Sequence, residues 1–395
     1  MQVKITSMDH LGNGIAKVDN KVIFIPKGVI DDELDVDIYK EYKKYSIGKI
    51  KEINKKSASR IDTECPYYSI CGGCNISNLS YDNQLLFKEN KVKNIFKKYL
   101  NLDINPTVIG SNKQYKYRNK ITYHTHEYLG LIGEFGGVID IDKCLLVSDK
   151  INELYREIKK LDLSMVKLIT IKECDNGLIL IISGKLEVDS LINKCIQIII
   201  NDEIVYKKED GFINIGDIKY KVSPKAFFQI NTSNISNLYD EIVKYGNFNK
   251  NDKVVDLYCG VGSISLYIAK YVKNVLGIEI IPDAIKDAKE NAKINEIDNA
   301  DFLCGDVSKL IDDNIDGDIL IVDPPRTGLD KHTVNVINEK GIQKLIYVSC
   351  DVMTLVRDIK LLTNYEVKDI SVVDMFPGTH HVECVVKLEH DKVNH

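Results

Sequence analysis

The sequence predicts an α/β chain of three parts: a small amino-terminal β-barrel, an α+β middle domain and a carboxyl-terminal doubly wound domain. Three observations predict it. Runs of alternating apolar and polar residues, broken by turn residues, crowd into the first 55 positions. Three cysteines then fall within ten residues, at 65, 71 and 74. From about residue 222 apolar strands alternate with helical runs, the rhythm of a parallel sheet covered on both faces. At 395 residues the chain exceeds one ordinary domain. The boundaries fall at 1–55, 56–221 and 222–395.

Composition supports real cores, with 44% hydrophobic and 28% charged residues. No apolar run is long enough to span a bilayer, so no membrane partner is expected. The opening MQVKITSMDH lacks the basic flank and apolar core of a secretory signal. A cytoplasmic monomer is the expectation, and ten cysteines without an export signal are expected to be thiols rather than disulfides. The net charge of −5 speaks weakly against a nucleic-acid partner, but local patches decide such binding. Lys40 to Arg60 holds eight basic residues against two acidic ones. Lys88 to Lys98 is basic, and Lys113 to Lys120 interleaves Tyr115 and Tyr117 with four cations. Bases could stack there while phosphates are neutralised.

In the first segment KITSMDHLGNGIAKV and KVIFIPKG alternate, with Gly12-Asn-Gly14 and Asp19-Asn20 as turns. ELDVDIYKEY and SIGKIKEI continue the pattern, which suits a small barrel of the OB kind. The segment resembles the TRAM domain of RNA-modifying enzymes in its Gly-x-Gly-Ile-Ala opening and Phe-Ile-Pro strand end, and departs from it at Asp31-Asp32-Glu33. In the middle segment a helix is expected from Tyr81 over YDNQLLFKENKVKNIFKKYL and another over SDKINELYREIKKL. KITYHTH, EYLGLIGEF, LITIKEC and GLILIIS read as strands, and LEVDSLINKCIQIIIND as a further helix and strand.

The last segment carries the chemistry. Asp256-Leu-Tyr-Cys-Gly260-Val-Gly262 ends one strand and opens a helix, where glycines let backbone approach a ligand. The next strand ends in Glu279, placed to accept ribose hydroxyls. Ser265 stands where a dinucleotide fingerprint would have its last glycine, so the pattern resembles a class I methyltransferase, a Rossmann-like fold, rather than a dehydrogenase. Asp323-Pro-Pro-Arg326 and Tyr347-Val-Ser-Cys350 end later strands on the same sheet edge.

Cys350 at that edge, and Glu383 in an apolar strand after Pro377-Gly378, suit methylation at carbon 5 of a uracil. Carbon 5 becomes nucleophilic once a thiolate adds to carbon 6, and a general base must then remove its proton. Apolar surroundings raise a carboxyl pKa and suit it to that task. Cys174, Cys195, Cys259, Cys304 and Cys384 read as apolar fillers. His381, two residues before Glu383, is placed on the same strand face and either orients the site or packs.

The order Phe227-Phe-Gln229-Ile-Asn231, DLYCGVG, GIE, DPPR, YVSC and MFPGTHHVE resembles the RNA 5-methyluridine methyltransferases along the whole chain. The resemblance implies S-adenosylmethionine at Gln229, Tyr258, Glu279 and Asp323, Cys350 as nucleophile and Glu383 as base. Asp351-Val352 replaces the family's usual Asn-Pro after the nucleophile.

Cys65, Cys71 and Cys74, with Cys144 as the next cysteine downstream, supply four thiols. Four thiolates suit zinc or an iron–sulfur cluster. The Cys-x5-Cys-Gly-Gly-Cys spacing resembles the [4Fe–4S] site of the ribosomal RNA branch of this family and implies that cofactor. RNA is the implied partner, 23S ribosomal RNA ahead of transfer RNA. A nitrogen-directed methyltransferase and a non-catalytic iron–sulfur RNA-binding protein are the rivals, and neither has a use for Cys350.

Overall fold

The computed structural model describes residues 1–224 and 226–391. Six strands form the first sheet: β1 (Gln2–Lys4), β2 (Ser7–Met8), β3 (Gly14–Val18), β4 (Lys21–Ile25), β5 (Glu33–Glu41) and β6 (Tyr45–Lys55). Their spatial order is β1-β5-β6-β4-β3-β2. Alternate residues turn Val3, Ile5, Ala16, Ile23, Ile25, Leu34 and Val36 into one core. Register shifts along the β5–β6 pair bend the long strands around it. Gly48 sits where β6 crosses this core, and a Cβ there would lie 2.5 Å from Val36. Asp32, one of the residues that departs from the TRAM pattern, is fully buried and accepts from the backbone of Val29 and Ser57 and from Arg60. It ties the barrel to the cysteine segment, and Arg60 is thereby withdrawn from any basic surface.

Residues 56–80 form no helix or strand. Helix α1 (Tyr81–Leu100) follows, capped by the Ser80 hydroxyl, with β7 (Thr107–Ile109) after it. The middle sheet comprises β8 (Lys120–Thr125), β9 (Leu129–Ile132), β10 (Val138–Asp140), β11 (Val166–Cys174), β12 (Gly177–Gly184), β13 (Gln197–Ile200) and β14 (Glu203–Lys207). Helix α2 (Asp149–Ile158) packs Ile151, Leu154, Tyr155 and Ile158 against it, with Tyr155 stacked on Tyr123. The helix expected near residue 190 is one short 3-10 turn, Asp189–Lys194.

A hairpin, β15 (Phe212–Ile215) and β16 (Ile218–Lys221), leads to helix α3 (Ile235–Gly246) and the last sheet. That sheet contains β17 (Lys253–Leu257), β18 (Asn274–Glu279), β19 (Ala300–Cys304), β20 (Ile319–Val322), β21 (Lys344–Ser349), β22 (Tyr365–Val373) and β23 (Glu383–His390). Helices α4 (Ser263–Ala269), α5 (Pro282–Ile294), α6 (Val307–Asn314), α7 (Lys331–Lys340) and α8 (Val352–Leu361) connect its strands. The order is β19-β18-β17-β20-β21-β23-β22-β7. Strands run out from β17 in one direction and return at β20, so a topological switch point lies between them.

Two features depart from the sequence expectation. The sheet is not parallel throughout, because β23 runs antiparallel to both β21 and β22. Its first residue therefore lies at the edge where β17, β20 and β21 end. Segment 81–109 also packs with this sheet. β7 pairs with β22, and Val92, Ile95 and Phe96 of α1 share a core with Leu355, Val356 and Ile359 of α8. Burial of each of these side chains contributes about 1.5–3 kcal/mol.

Candidate active site

The loop after β17 is built from unusual backbone. Tyr258, Gly260 and Gly262 all have positive φ, at 64°, 56° and 75°. For tyrosine that conformation costs energy and is held by its surroundings. The Tyr258 and Cys259 amides both donate to the Ile278 carbonyl. The two glycines differ in purpose. A Cβ on Gly262 would strike Phe302 at 2.8 Å, whereas above Gly260 nothing lies within 4 Å. Gly262 serves packing, and Gly260 leaves open space for a ligand. Glu279, at the end of β18, accepts from the Gly260 amide at 3.2 Å and the Ile281 amide at 2.9 Å. Each of its oxygens keeps a lone pair for a hydroxyl. The ring of Tyr258 packs beside the core of α7 and α8, with its hydroxyl against Thr333.

Three acids follow one another along the sheet edge. Asp256 at the end of β17 is fully buried, with Ser265 donating to one oxygen and, among the described residues, no hydrogen-bond partner for the other. Burial raises its carboxyl to about 7. Asp323, just past β20, is raised to about 7 by burial and by the Asp256 charge. Glu383 opens β23, is 2% exposed, and is pushed well above its usual range by burial and by Asp323, with Arg326 opposing. Among the described residues no hydrogen bond reaches the Glu383 carboxyl. Tyr239 of α3 faces the same three acids. A buried row of carboxyls with an orphaned oxygen is a poor protein core and a good receptor for a cation. The sulfonium and ammonium of S-adenosylmethionine fit it.

Cys350 follows β21. Register pairs Ser349 with Cys384, which brings the thiol beside Glu383. Burial and the Glu383 and Asp323 charges raise the Cys350 thiol to about 11, and the Arg326 guanidinium set against it works the other way. Asp351 caps α8 by accepting from the Thr354 amide at 2.8 Å. Aspartate caps as well as asparagine does, so this departure from the family pattern leaves the turn intact.

The loop from Asp374 to His381 leads into the Glu383 strand and is fastened from four directions. Lys88 of α1 forms a fully buried ion pair with Asp374 and donates to the Phe376 carbonyl. The Tyr81 hydroxyl also binds Asp374. Gln84 accepts from the Gly378 amide, and the Asn75 and Ile76 amides donate to its carbonyl. Tyr117 donates to Pro377, and Asn231 and Asn234 to Met375 and Asp374. His381 lies before β23 rather than in it, and its ring packs on Phe376.

Several expected residues do other work. Lys88 is buried, so the run from 88 to 98 is not one basic surface. Tyr117 is buried as well and cannot stack on a base. Gln229 accepts from the Asn119 side chain with its backbone carbonyl, and among the described residues no hydrogen bond joins it to Glu279 or Asp323. The sequence places Lys88 only in a basic run and Asp256 only at the head of the glycine motif, and it singles out Tyr239 in no way. Asp256 had a signal, an acid inside the apolar strand Val254-Val-Asp-Leu257. The other two had none.

Cys65, Cys71, Cys74 and Cys144 line one cavity of about 580 Å3 between the cysteine segment and the middle sheet. Burial raises the Cys74 thiol to about 12 and lifts Cys65 and Cys144 too. Among the described residues no three His, Cys, Asp or Glu side chains are grouped to hold a single metal ion. Arg118, Lys120 and Lys143 share the wall. No helix among the described residues is long and apolar enough to cross a membrane.

The family model for tRNA (uracil-5-)-methyltransferase matches residues 181–308 and 309–391. The TRAM domain model matches residues 1–51. Uncharacterized RNA methyltransferases of Halalkalibacterium halodurans and Clostridium acetobutylicum are each 32% identical, over 98% of this chain and 96% of theirs. Among solved structures, the Pyrococcus abyssi tRNA (uracil-54, C5)-methyltransferase in complex with S-adenosyl-L-homocysteine is similar, with a TM-score of 0.82 and 26% identity. The similarity covers 98% of this chain and 100% of that one.

Proposed function

The chain belongs to the tRNA (uracil-5-)-methyltransferase family, and we propose that Cys350 and Glu383 carry its chemistry on a uridine of 23S ribosomal RNA. The observation that carries this reading is the reversal of β23. It sets the start of that strand, with Glu383, against the end of β21, with Cys350. A nucleophile and a base from strands of opposite direction thus share one edge.

The Cys350 sulfur adds to carbon 6 of the uracil, and the electrons move toward the carbon 4 carbonyl. Arg326 beside the sulfur favours the thiolate that this addition needs. S-adenosylmethionine, when bound, would supply the methyl group that carbon 5 takes and would leave as S-adenosylhomocysteine. Glu383 then takes the carbon 5 proton, the ring double bond reforms, and the sulfur leaves carbon 6. A carboxyl raised by burial is a stronger base for that step. Glu279 and the open backbone at Gly260 hold the ribose side of the donor, and Asp323 and Asp256 face its positive end. Gln229 and Tyr258 keep the supporting role that the family resemblance implies.

The four thiols are proposed to hold a [4Fe–4S] cluster. They line one cavity, and the Cys-x5-Cys-Gly-Gly-Cys spacing is what favours an iron–sulfur cluster over zinc. Methyl transfer consumes no electrons, which supports a structural or RNA-positioning role for the cluster over electron transfer. The cysteine spacing supports ribosomal RNA as the substrate. Transfer RNA is the second reading, favoured by the full-length likeness to the Pyrococcus abyssi enzyme. Labelled S-adenosylmethionine with total RNA from cells lacking this gene separates them. Label is expected as 5-methyluridine in 23S RNA. Label in transfer RNA alone overturns the substrate, and label on a base nitrogen overturns the mechanism.

A further inference from the structure

Between the amino-terminal sheet and α1 lies a cleft of about 600 Å3 that the chemistry above leaves unused. Its walls are the turn after β2, with Asp9 and His10, the outer face of α1, and Met353, three residues beyond Cys350. We propose that this cleft seats a base neighbouring the methylated uridine in the RNA strand, and that Asn90 and Asn94 read it. The inference rests on the reading of the chain as an RNA uridine methyltransferase.

The chemistry of the wall identifies the occupant. Asn83, Asn90 and Asn94 fall on one face of α1 at helical spacing. Their carboxamides have no hydrogen-bond partner among the described residues, and Asn90 and Asn94 are exposed. A carboxamide offers a donor and an acceptor side by side, the pairing that a base edge needs. Tyr99 ends the same wall with 41% of its surface exposed, and Lys98 stands 5.2 Å from its ring centre. An exposed aromatic beside a cation suits stacking of a base under its phosphate.

Charge agrees. Lys98 is the exposed cation of the cleft, Lys91 is partly buried and turned to the catalytic loop, and the acid, Asp9, is already committed to the Leu11 and Asn13 amides and to the Asn13 side chain. The cleft also borders the loop that leads to Glu383. Lys91 donates to the His380 carbonyl at 2.8 Å. The barrel turn packs against the same loop, and at Gly12, with φ 85°, a Cβ would lie 2.8 Å from Ile76 and 3.8 Å from His380. Met353 belongs to the first turn of α8, whose start is set by the residue after Cys350. A strand with its uridine at Cys350 has its next nucleotide within reach of this row of carboxamides. An apolar helix would leave that row unmatched.

The test uses the full-length protein, labelled S-adenosylmethionine and total RNA from cells lacking this gene. The Asn90→Ala/Asn94→Ala double variant is expected to raise KM for the RNA about tenfold or more, with kcat within about twofold. Binding of S-adenosylhomocysteine and the melting temperature should not move, because both side chains are exposed. Asn90→Asp/Asn94→Asp, which keeps the shape and adds repulsion toward phosphate, should lose more. Unchanged KM in both variants overturns the proposal and leaves the cleft to a protein partner. A fall in kcat alone also overturns it, marking α1 as a support of the catalytic loop. If the wild-type protein labels no uridine in this RNA, the enzyme reading fails first and the inference with it.

Discussion

Cys350 and the cavity thiols Cys74 and Cys144 are all raised by burial, yet the walls around them carry opposite charge. Cys350 faces Glu383 and Asp323, with Arg326 in opposition. The four cavity thiols share their space with Arg118, Lys120 and Lys143, and the acid on that wall, Glu134, is already paired with Lys27. An acid-lined edge is complete only when a cation arrives, as a methyl sulfonium does. A cation-lined cavity is matched to an anionic occupant, as a cluster held by four thiolates is. Cysteine burial alone therefore says little about function, and the sign of the neighbouring charge separates the thiol proposed to react from those proposed to ligate.

Removing one thiol from each region tests this contrast most sharply. Cys350→Ala should lower methyl transfer by about 10^4-fold or more, since the pathway loses its nucleophile. Iron content and S-adenosylhomocysteine binding should stay at wild-type levels. Cys144→Ala should do the reverse, losing iron and sulfide while Cys350 still forms a covalent adduct with RNA. A Cys144→Ala protein that kept its iron would end the distinction, and stoichiometric zinc in the wild-type protein would replace the cluster with another metal. Glu383→Gln adds a third arm. It should accumulate the adduct as a band stable to denaturation, because the carbon 5 proton has no acceptor. Normal turnover in that variant would remove Glu383 from the role of base.

The two regions were unequally legible in the sequence. Glu279, Asp323 and Cys350 stood out because each ends an apolar strand, and parallel strands deliver their ends to one edge. Glu383 was found by its apolar setting, but not the reason for its position. The antiparallel insertion of β23 depends on pairings with β21 and β22 that no local periodicity encodes. β7 is three residues long and pairs with residues 371–373, so nothing in its own composition assigns it to the last sheet. Lys88 looked like one more surface cation in a basic run, and its buried pair with Asp374 joins residues 286 positions apart. Such long-range pairs lie outside what spacing rules can read.

Alkylation gives the next contrast. With its thiol raised to about 11, Cys350 in the free protein is almost wholly protonated at pH 7. Its reaction with iodoacetamide, followed on the Cys350 peptide, should quicken about a hundredfold between pH 7 and pH 9. The cavity cysteines should stay unlabelled over that range while iron is bound, and react once it is chelated. A plateau in Cys350 labelling near pH 8 would show that Arg326 outweighs the acids, and the charge contrast would fail on its active-site side.

The smallest effect has the most telling sign. Glu383 has its carboxyl raised above the unfolded value of 4.5 by burial and by Asp323. A group raised by folding holds its proton more tightly in the native state. Its contribution is therefore fully present below pH 4.5 and is lost as pH rises through the native pKa. Wild type and Glu383→Gln should melt alike near pH 4, and the variant should gain on wild type as pH climbs toward 8. Relief of one buried charge is worth about 1–3 kcal/mol. The inactive variant is then the more stable protein at neutral pH, the cost of keeping a base in an apolar strand. Cys144→Ala should move the other way, melting lower at every pH because it loses a cross-link rather than a strained charge. If Glu383→Gln melts at or below wild type at pH 8, the acid is not under strain there, and its strength as a base must come from the bound substrate instead.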